Sequence, residues 1–204
     1  MELTDGNVTL RTPVDDDAGA VAAAVRDSLE TLSPWMPWAT ESYDEAAARA
    51  WIQGEIEPNS ERFVLIGGDG RMVGSAGLNH FDTANNRANL GYWLRADATG
   101  FGYATSATRL LARYGLDELG LHRIEVMMSV ENDASRQVAI RAGAGYEGVQ
   151  RGRLLLCGRY HDVHSYAFVA ATADDTTITD EATITDEATS TGPTTQPPPP
   201  APPR

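Results

Sequence analysis

Apolar and polar positions change their period several times along the chain, and each change marks an element. Val8 and Leu10 alternate with polar neighbours across Asn7–Arg11, which predicts a strand. Asp15–Asp17 then open an alanine-rich stretch that reads as a helix to about Leu32, with the three carboxylates favourable at its N-terminal dipole. The two prolines of "LSPWMPW" (Leu32–Trp38) end it. Ser42, followed three residues later by Glu45, has the spacing of a capping box and predicts a second helix to about Ile56.

The middle of the chain is strand-like. Arg62–Ile66 passes through Gly67-Gly68-Asp69-Gly70 into Arg71–Asn79, the pattern of a hairpin, and Arg87–Arg95 is a further strand. From Tyr103 to Leu119 the period becomes helical, with Ala104, Ala107, Leu110, Leu111 and Tyr114 on one face. Leu121–Val130 reads as a strand, and Asn132–Ala142 as a short helix with Gly143 placed to end it. Two last strands, about Tyr146–Leu156 and Tyr160–Ala170, join near Gly158. The resulting order, β-α-α-β-β-β-α-β-α-β-β, is that of a mixed α/β domain.

Composition divides the chain in two. The 204 residues are 42% hydrophobic, enough for one sizeable core in residues 1–171. From Thr172 onward the chain carries the repeat ITDEAT twice and ends in a proline run, without aromatics; residues 172–204 are expected to be a disordered acidic, Pro-rich tail. The net charge is −13, of which −8 falls on residues 1–171. That balance argues against nucleic acid as a partner and suits an amine-bearing one. All 16 basic residues are arginine, and an acidic chain without lysine is compatible with a halophilic source. The lone Cys157 excludes a disulfide framework. With no signal-peptide pattern in "MELTDGNVTLRTP" and no apolar run of spanning length, the expected setting is cytoplasmic, off the membrane.

Candidate chemistry centres on Thr99-Gly100-Phe101-Gly102-Tyr103-Ala104, between a strand and a helix. Small residues there let a diphosphate approach the backbone, and a helix N-terminus offers unpaired N–H donors. A plain strand–helix turn has the same pattern. A dinucleotide fingerprint fails, because Thr105 stands where its third glycine belongs, and no Gly-Lys-Ser/Thr of a P-loop is present.

Several further stretches occur in order between Leu10 and about Val169: "LSPWMPW", "GYWL", "GFGYAT", "LGLHRIEV", "NDAS", "YEG" and "GRYHDVHSY". With them the chain resembles the GNAT acetyltransferase superfamily, and within it the ribosomal-protein N-terminal acetyltransferases of the RimJ/RimL type. The resemblance implies a mostly antiparallel central sheet with helices on both faces, acetyl-CoA as cosubstrate and no metal. It implies that Thr99–Ala104 holds the coenzyme A diphosphate through backbone N–H groups. Gly91–Leu94, with Tyr92, Trp93 and Leu94, would bind the pantetheine and offer an N–H to the thioester oxygen, an oxyanion-type contact worth roughly 3 kcal/mol of barrier. Thr99 and Phe101 stand where the family usually has Gln or Arg and a basic residue, so charge assistance to the diphosphate is expected to be reduced.

The same resemblance makes Asn132 a coenzyme A contact and Ser135 the donor to the leaving sulfur; the residues alone read equally as an N-cap and an ordinary first-turn serine. Glu147, in "YEG", is expected either to be a base with a raised pKa or to be a structural carboxylate. A carboxylate seven residues further on in some relatives is Leu154 here, so no base is assigned. An α-amine, with a reference pKa of roughly 8 against about 10.4 for lysine, can lose its proton through water. Trp35 and Trp38 are candidates for an acceptor-facing wall or for core. His161 and His164 point to opposite strand faces, which speaks against a shared metal. The expected activity is transfer of acetyl to a primary amine, foremost a protein N-terminal α-amine, by direct attack in a ternary complex, in a monomer or homodimer. A small-molecule amine as acceptor and a non-catalytic acyl-CoA-binding module are the alternatives.

Overall fold

The computed structural model describes residues 1–171; the expected tail lies outside the described residues. Eight strands form one sheet in the order β1-β2-β3-β4-β5-β6-β8-β7: β1 Glu2–Thr4, β2 Val8–Arg11, β3 Glu61–Gly67, β4 Met72–Asp82, β5 Arg87–Leu94, β6 Arg123–Ser129, β7 Gly145–Leu156 and β8 Arg159–Val169. Every neighbouring pair is antiparallel except β5 and β6, which the chain joins through a helical crossover. The short β1 has no signal in the hydrophobic pattern. It pairs with β2 through Leu3 opposite Leu10.

Helices cover both faces, as the resemblance implied. On one side α1 (Ala18–Arg26), α2 (Leu29–Leu32) and α3 (Glu45–Ile52) bury Val21, Val25, Leu32 and Ala48 with Val64 and Trp93 of the sheet. On the other, α4 (Tyr103–Arg113) and α5 (Asp133–Ala142) bury Ala107, Leu111 and Ala139 with Leu10, Phe63, Leu78 and Ile124. All five residues of the predicted α4 face are buried. Below Arg113 the helix widens into a π turn over Tyr114–Glu118, where a Cβ on Gly115 would come within 2.6 Å of Ile124 Cδ1.

Two helix predictions are corrected. The first helix does not run from Asp15 to Leu32. Asp15–Asp17 form a 3-10 turn, and the chain breaks at Asp27–Ser28 because the buried Ser28 hydroxyl accepts the Ala96 N–H at 3.0 Å. The cap of α3 is Asp44, whose carboxylate accepts the Ala47 N–H at 2.9 Å, while Ser42 bonds Thr40. That helix stops at Ile52, and Gly54 follows at φ +79°.

Candidate active site

The site begins with a defect in the sheet. β5 and β6 pair at only three positions, Arg87 with Arg123, Ala88 with Ile124 and Asn89 with Glu125, and then diverge. From Leu90 to Leu94 the β6-facing edge of β5 has no strand partner. Backbone polar groups left unpaired in a sheet interior call for another partner. Beside this edge lies a cleft of about 1010 Å³.

The predicted cofactor residues converge on that cleft. Tyr92, Trp93 and Leu94 line it from β5, and Thr99, Gly100, Gly102, Tyr103 and Ala104 from the loop and the first turn of α4. Gly100 and Gly102 have φ of +87° and +80°, the left-handed region in which glycine carries no Cβ penalty. Gly102 is the N-cap of α4, and no side chain caps that end, so the first-turn N–H groups face the cleft. Asn7 pins the loop from the start of β2, donating to the Phe101 carbonyl at 3.3 Å and to Ser106 Oγ at 3.2 Å. Thr99 gives its hydroxyl to the Ala96 carbonyl at 3.0 Å. The Phe101 ring is not part of the cleft wall. It is 64% exposed and stacks on Tyr103 with centroids 5.8 Å apart.

α5 supplies the opposite wall. Asn132 caps it by accepting the Ser135 N–H at 3.0 Å, which leaves its side-chain NH2 for a ligand. The Tyr92 hydroxyl donates to the Ser135 carbonyl at 3.5 Å. Burial pushes the Tyr92 phenol up to about 12, so it stays protonated across the neutral range. Ser135 lines the cleft, its side chain beside the Tyr92 hydroxyl.

Sequence reasoning missed Arg109 and Arg141. Both line the cleft, Arg109 donating to the Arg141 carbonyl, and neither has an ion-pair partner among the described residues. They return the positive charge whose absence at Thr99 and Phe101 was expected to weaken anion binding. Helical spacing carried the signal: Arg109 lies four residues after Thr105, and Arg141 four after Gln137, all on the cleft wall.

On the other face of the sheet is a cavity of about 220 Å³. Trp93 stands opposite Ser75 and Gly91 opposite Gly77, on the side covered by α1–α3. Trp38, Tyr43 and Trp51 wall it from above. Met36, Tyr92 and Trp93 line both the cleft and the cavity. The two tryptophans expected to face the acceptor are thus separated: Trp35 lines the large cleft, and Trp38 the small cavity.

Glu147 does not join either space. Arg123 grips its carboxylate with both terminal nitrogens, Nη1 at 2.6 Å, and the Ser165 hydroxyl adds a bond at 3.4 Å. These partners hold its carboxyl below the ordinary range, which corrects the expectation of a raised value. Arg123 also bonds Glu125, which in turn pairs with Arg87. Asp162 accepts the Gly152 N–H at 2.8 Å and so anchors the β7–β8 hairpin. His161 is buried beside Ser129 at 3.0 Å, whereas His164 packs against Tyr146 and Tyr166. Among the described residues no group of three His, Cys, Asp or Glu side chains is placed to hold a metal ion. No described helix is long and apolar enough to cross a membrane.

A sheet with one splayed parallel pair, a glycine loop at a helix N-terminus and a cleft between them define an acyl-CoA-dependent transferase site. The family model of the acetyltransferase (GNAT) domain matches residues 7–145, and the chain belongs to that family. It is 29% identical over 168 residues to the Bacillus subtilis (strain 168) protein named "Putative ribosomal N-acetyltransferase YdaF", covering 80% of this chain and 91% of the relative. It is 27% identical over 139 residues to the ribosomal-protein-serine acetyltransferase of Escherichia coli (strain K12), covering 67% and 78%. The solved structure of Mycobacterium smegmatis RimJ in complex with CoA-disulfide superposes with a TM-score of 0.74 at 26% identity, over 83% of this chain and 86% of that one. The protein is a GNAT-type N-acetyltransferase that uses acetyl-CoA.

Proposed function

We propose that the protein acetylates the α-amine of a protein N-terminus by direct attack in a ternary complex. The observation that carries the reading is the wall shared by cleft and cavity. Met36, Tyr92 and Trp93 border both, so a cosubstrate on one face and an acceptor on the other meet at β5. Cys157, the lone thiol, borders neither space and sits at the β7–β8 turn, so no covalent enzyme intermediate is needed.

The residues fit acetyl-CoA by their donors. The glycine loop and the uncapped N-terminus of α4 suit a diphosphate, with Arg109 and Arg141 supplying charge. When bound, the thioester supplies the activated acetyl group. N–H groups on the open edge of Leu90–Leu94 donate to its oxygen, where negative charge develops during attack. The Ser135 hydroxyl donates to the leaving sulfur. Glu147, already neutralised by Arg123, is a poor proton acceptor. Water therefore carries the proton from an α-amine whose reference pKa is roughly 8. The relatives named for ribosomal substrates support this acceptor class.

Mass spectrometry of peptides bearing varied N-termini, incubated with protein and acetyl-CoA, tests the reading. Acetyl is expected on the α-nitrogen of the N-terminal residue. Acetylation confined to lysine side chains or to free small amines would overturn it.

A further inference from the structure

We propose that Glu57 is the residue that docks the acceptor's ammonium, and that the 220 Å³ cavity in which it stands takes the first residues of an unbranched chain end. The inference deepens the acetyl-transfer reading and rests on it for the direction of attack.

Among the described partly buried carboxylates, Asp17 is paired with Arg11, Asp82 with Arg87, and Glu125 with Arg87 and Arg123. Glu61, which also lines the cavity, makes no ion pair among the described residues but accepts the Tyr114 hydroxyl at 3.4 Å. Glu57 has no ion-pair partner among the described residues. Its Oε1 accepts only the Asn79 side-chain amide, at 3.4 Å, and Asn79 is itself held by Asn89 at 2.9 Å. Arg62, which also lines the cavity, donates to the Glu57 backbone carbonyl at 2.7 Å and makes no ion pair with the Glu57 carboxylate. A half-buried carboxylate with only a neutral partner has lost hydration without gaining a counter-charge, and an incoming cation restores it.

The walls suit the same ligand. Trp38 lies 5.4 Å from Tyr43 and 6.1 Å from Trp93, centroid to centroid, and ring faces attract ammonium groups. Burial and the Asp44 charge push the Tyr43 phenol up to about 12, so it stays a neutral wall. The floor is left open by Gly91, where an added Cβ would meet nothing within 4 Å. Asn89, behind Glu57, and Gly91, at the splay, are successive positions on one strand face, roughly 7 Å apart. Glu57 reaches β5 through Asn79 of β4 and Asn89, and it lines the same cavity as Gly91. The cavity is smaller than the roughly 300–1,000 Å³ that takes a drug-sized ligand, which favours a chain end over a bulky polycyclic amine.

The test measures steady-state acetylation of an N-terminal serine peptide, with calorimetric binding of the same peptide and of its N-acetylated form in the presence of coenzyme A. Glu57→Gln is expected to raise KM for the peptide about tenfold or more, the cost of one charge-assisted bond, with kcat and coenzyme A affinity within about twofold. Glu57→Asp is expected to recover part of the loss, and Glu55→Gln, on an exposed neighbour, to change neither constant. Unchanged KM in Glu57→Gln, with turnover intact, overturns the inference and leaves the acetyl-transfer reading standing. Absence of turnover on every amine overturns that reading instead, and binding then decides. Preference for the free over the acetylated peptide, lost in Glu57→Gln, supports the site; no preference in the wild type, or one retained in the variant, overturns it.

Discussion

The two faces of the sheet around β5 are built on different principles. The cleft, walled by α4, α5 and the α2 segment, offers backbone groups: an unpaired strand edge, two left-handed glycines and an uncapped helix end. On the α1–α3 face the cavity is made from side chains, with the aromatic residues Trp38, Tyr43, Trp51, Tyr92 and Trp93 and the carboxylates Glu57 and Glu61 drawn from a helix, loops and strands. In the proposed reading, backbone geometry serves a ligand whose diphosphate and pantetheine are always the same. Side chains serve one that varies, since a ring or a carboxylate changes by substitution without disturbing a strand.

The comparison breaks most readily at Gly100. At φ +87° a β-branched residue is strained even though the space beside it is open, so Gly100→Val is expected to weaken coenzyme A binding roughly ten- to hundredfold by calorimetry. Unchanged affinity would mean that the loop does not hold the diphosphate. Ser135→Ala sharpens the division between binding and chemistry on the cleft side. It should lower kcat by roughly tenfold, the worth of one neutral hydrogen bond, without altering coenzyme A affinity. Full kcat in that variant would remove Ser135 from the reaction.

Glu147→Gln is the smallest effect and tests whether chemistry extends beyond the two spaces. kcat should stay within about twofold. The pair with Arg123 is partly exposed, its side chains 23% and 35% accessible, so its loss should cost at most about 1 kcal/mol in urea unfolding at neutral pH. Because the folded carboxyl lies below its ordinary value of 4.5, that contribution is present above this pH and fades as pH falls through the folded value. Wild type and variant should therefore converge in stability under acid conditions. A large fall in kcat would return Glu147 to the site as a base.

How much was legible depended on whether the signal was local. Gly100, Gly102, Asn132 and Gly143 announced a loop, a cap and a helix end because each acts on neighbouring backbone, and each does so in the structure. The α4 stripe was legible because burial repeats with the helical period. Glu147 was left open between a base and a structural carboxylate because its neighbours in sequence say nothing of Arg123, twenty-four residues away and brought beside it by the β6-β8-β7 pairing. The long first helix was drawn too far: the alanine run ends at Ala24, and Asp27–Ser28, weak helix formers, break the helix where Ser28 accepts the Ala96 N–H.

By itself the sequence determined the order of elements from β3 onward, the glycine loop between β5 and α4, the capped start of α5 and the family these features resemble. All are set by interactions within a few residues, which propensity and spacing record. Only the tertiary structure decided that β5 and β6 separate after Asn89, that Arg109 and Arg141 supply charge the loop lacks, that Trp35 and Trp38 serve different spaces, and that Glu57 stands without a counter-charge. Each depends on groups distant in the chain, placed by burial of the two cores against the sheet.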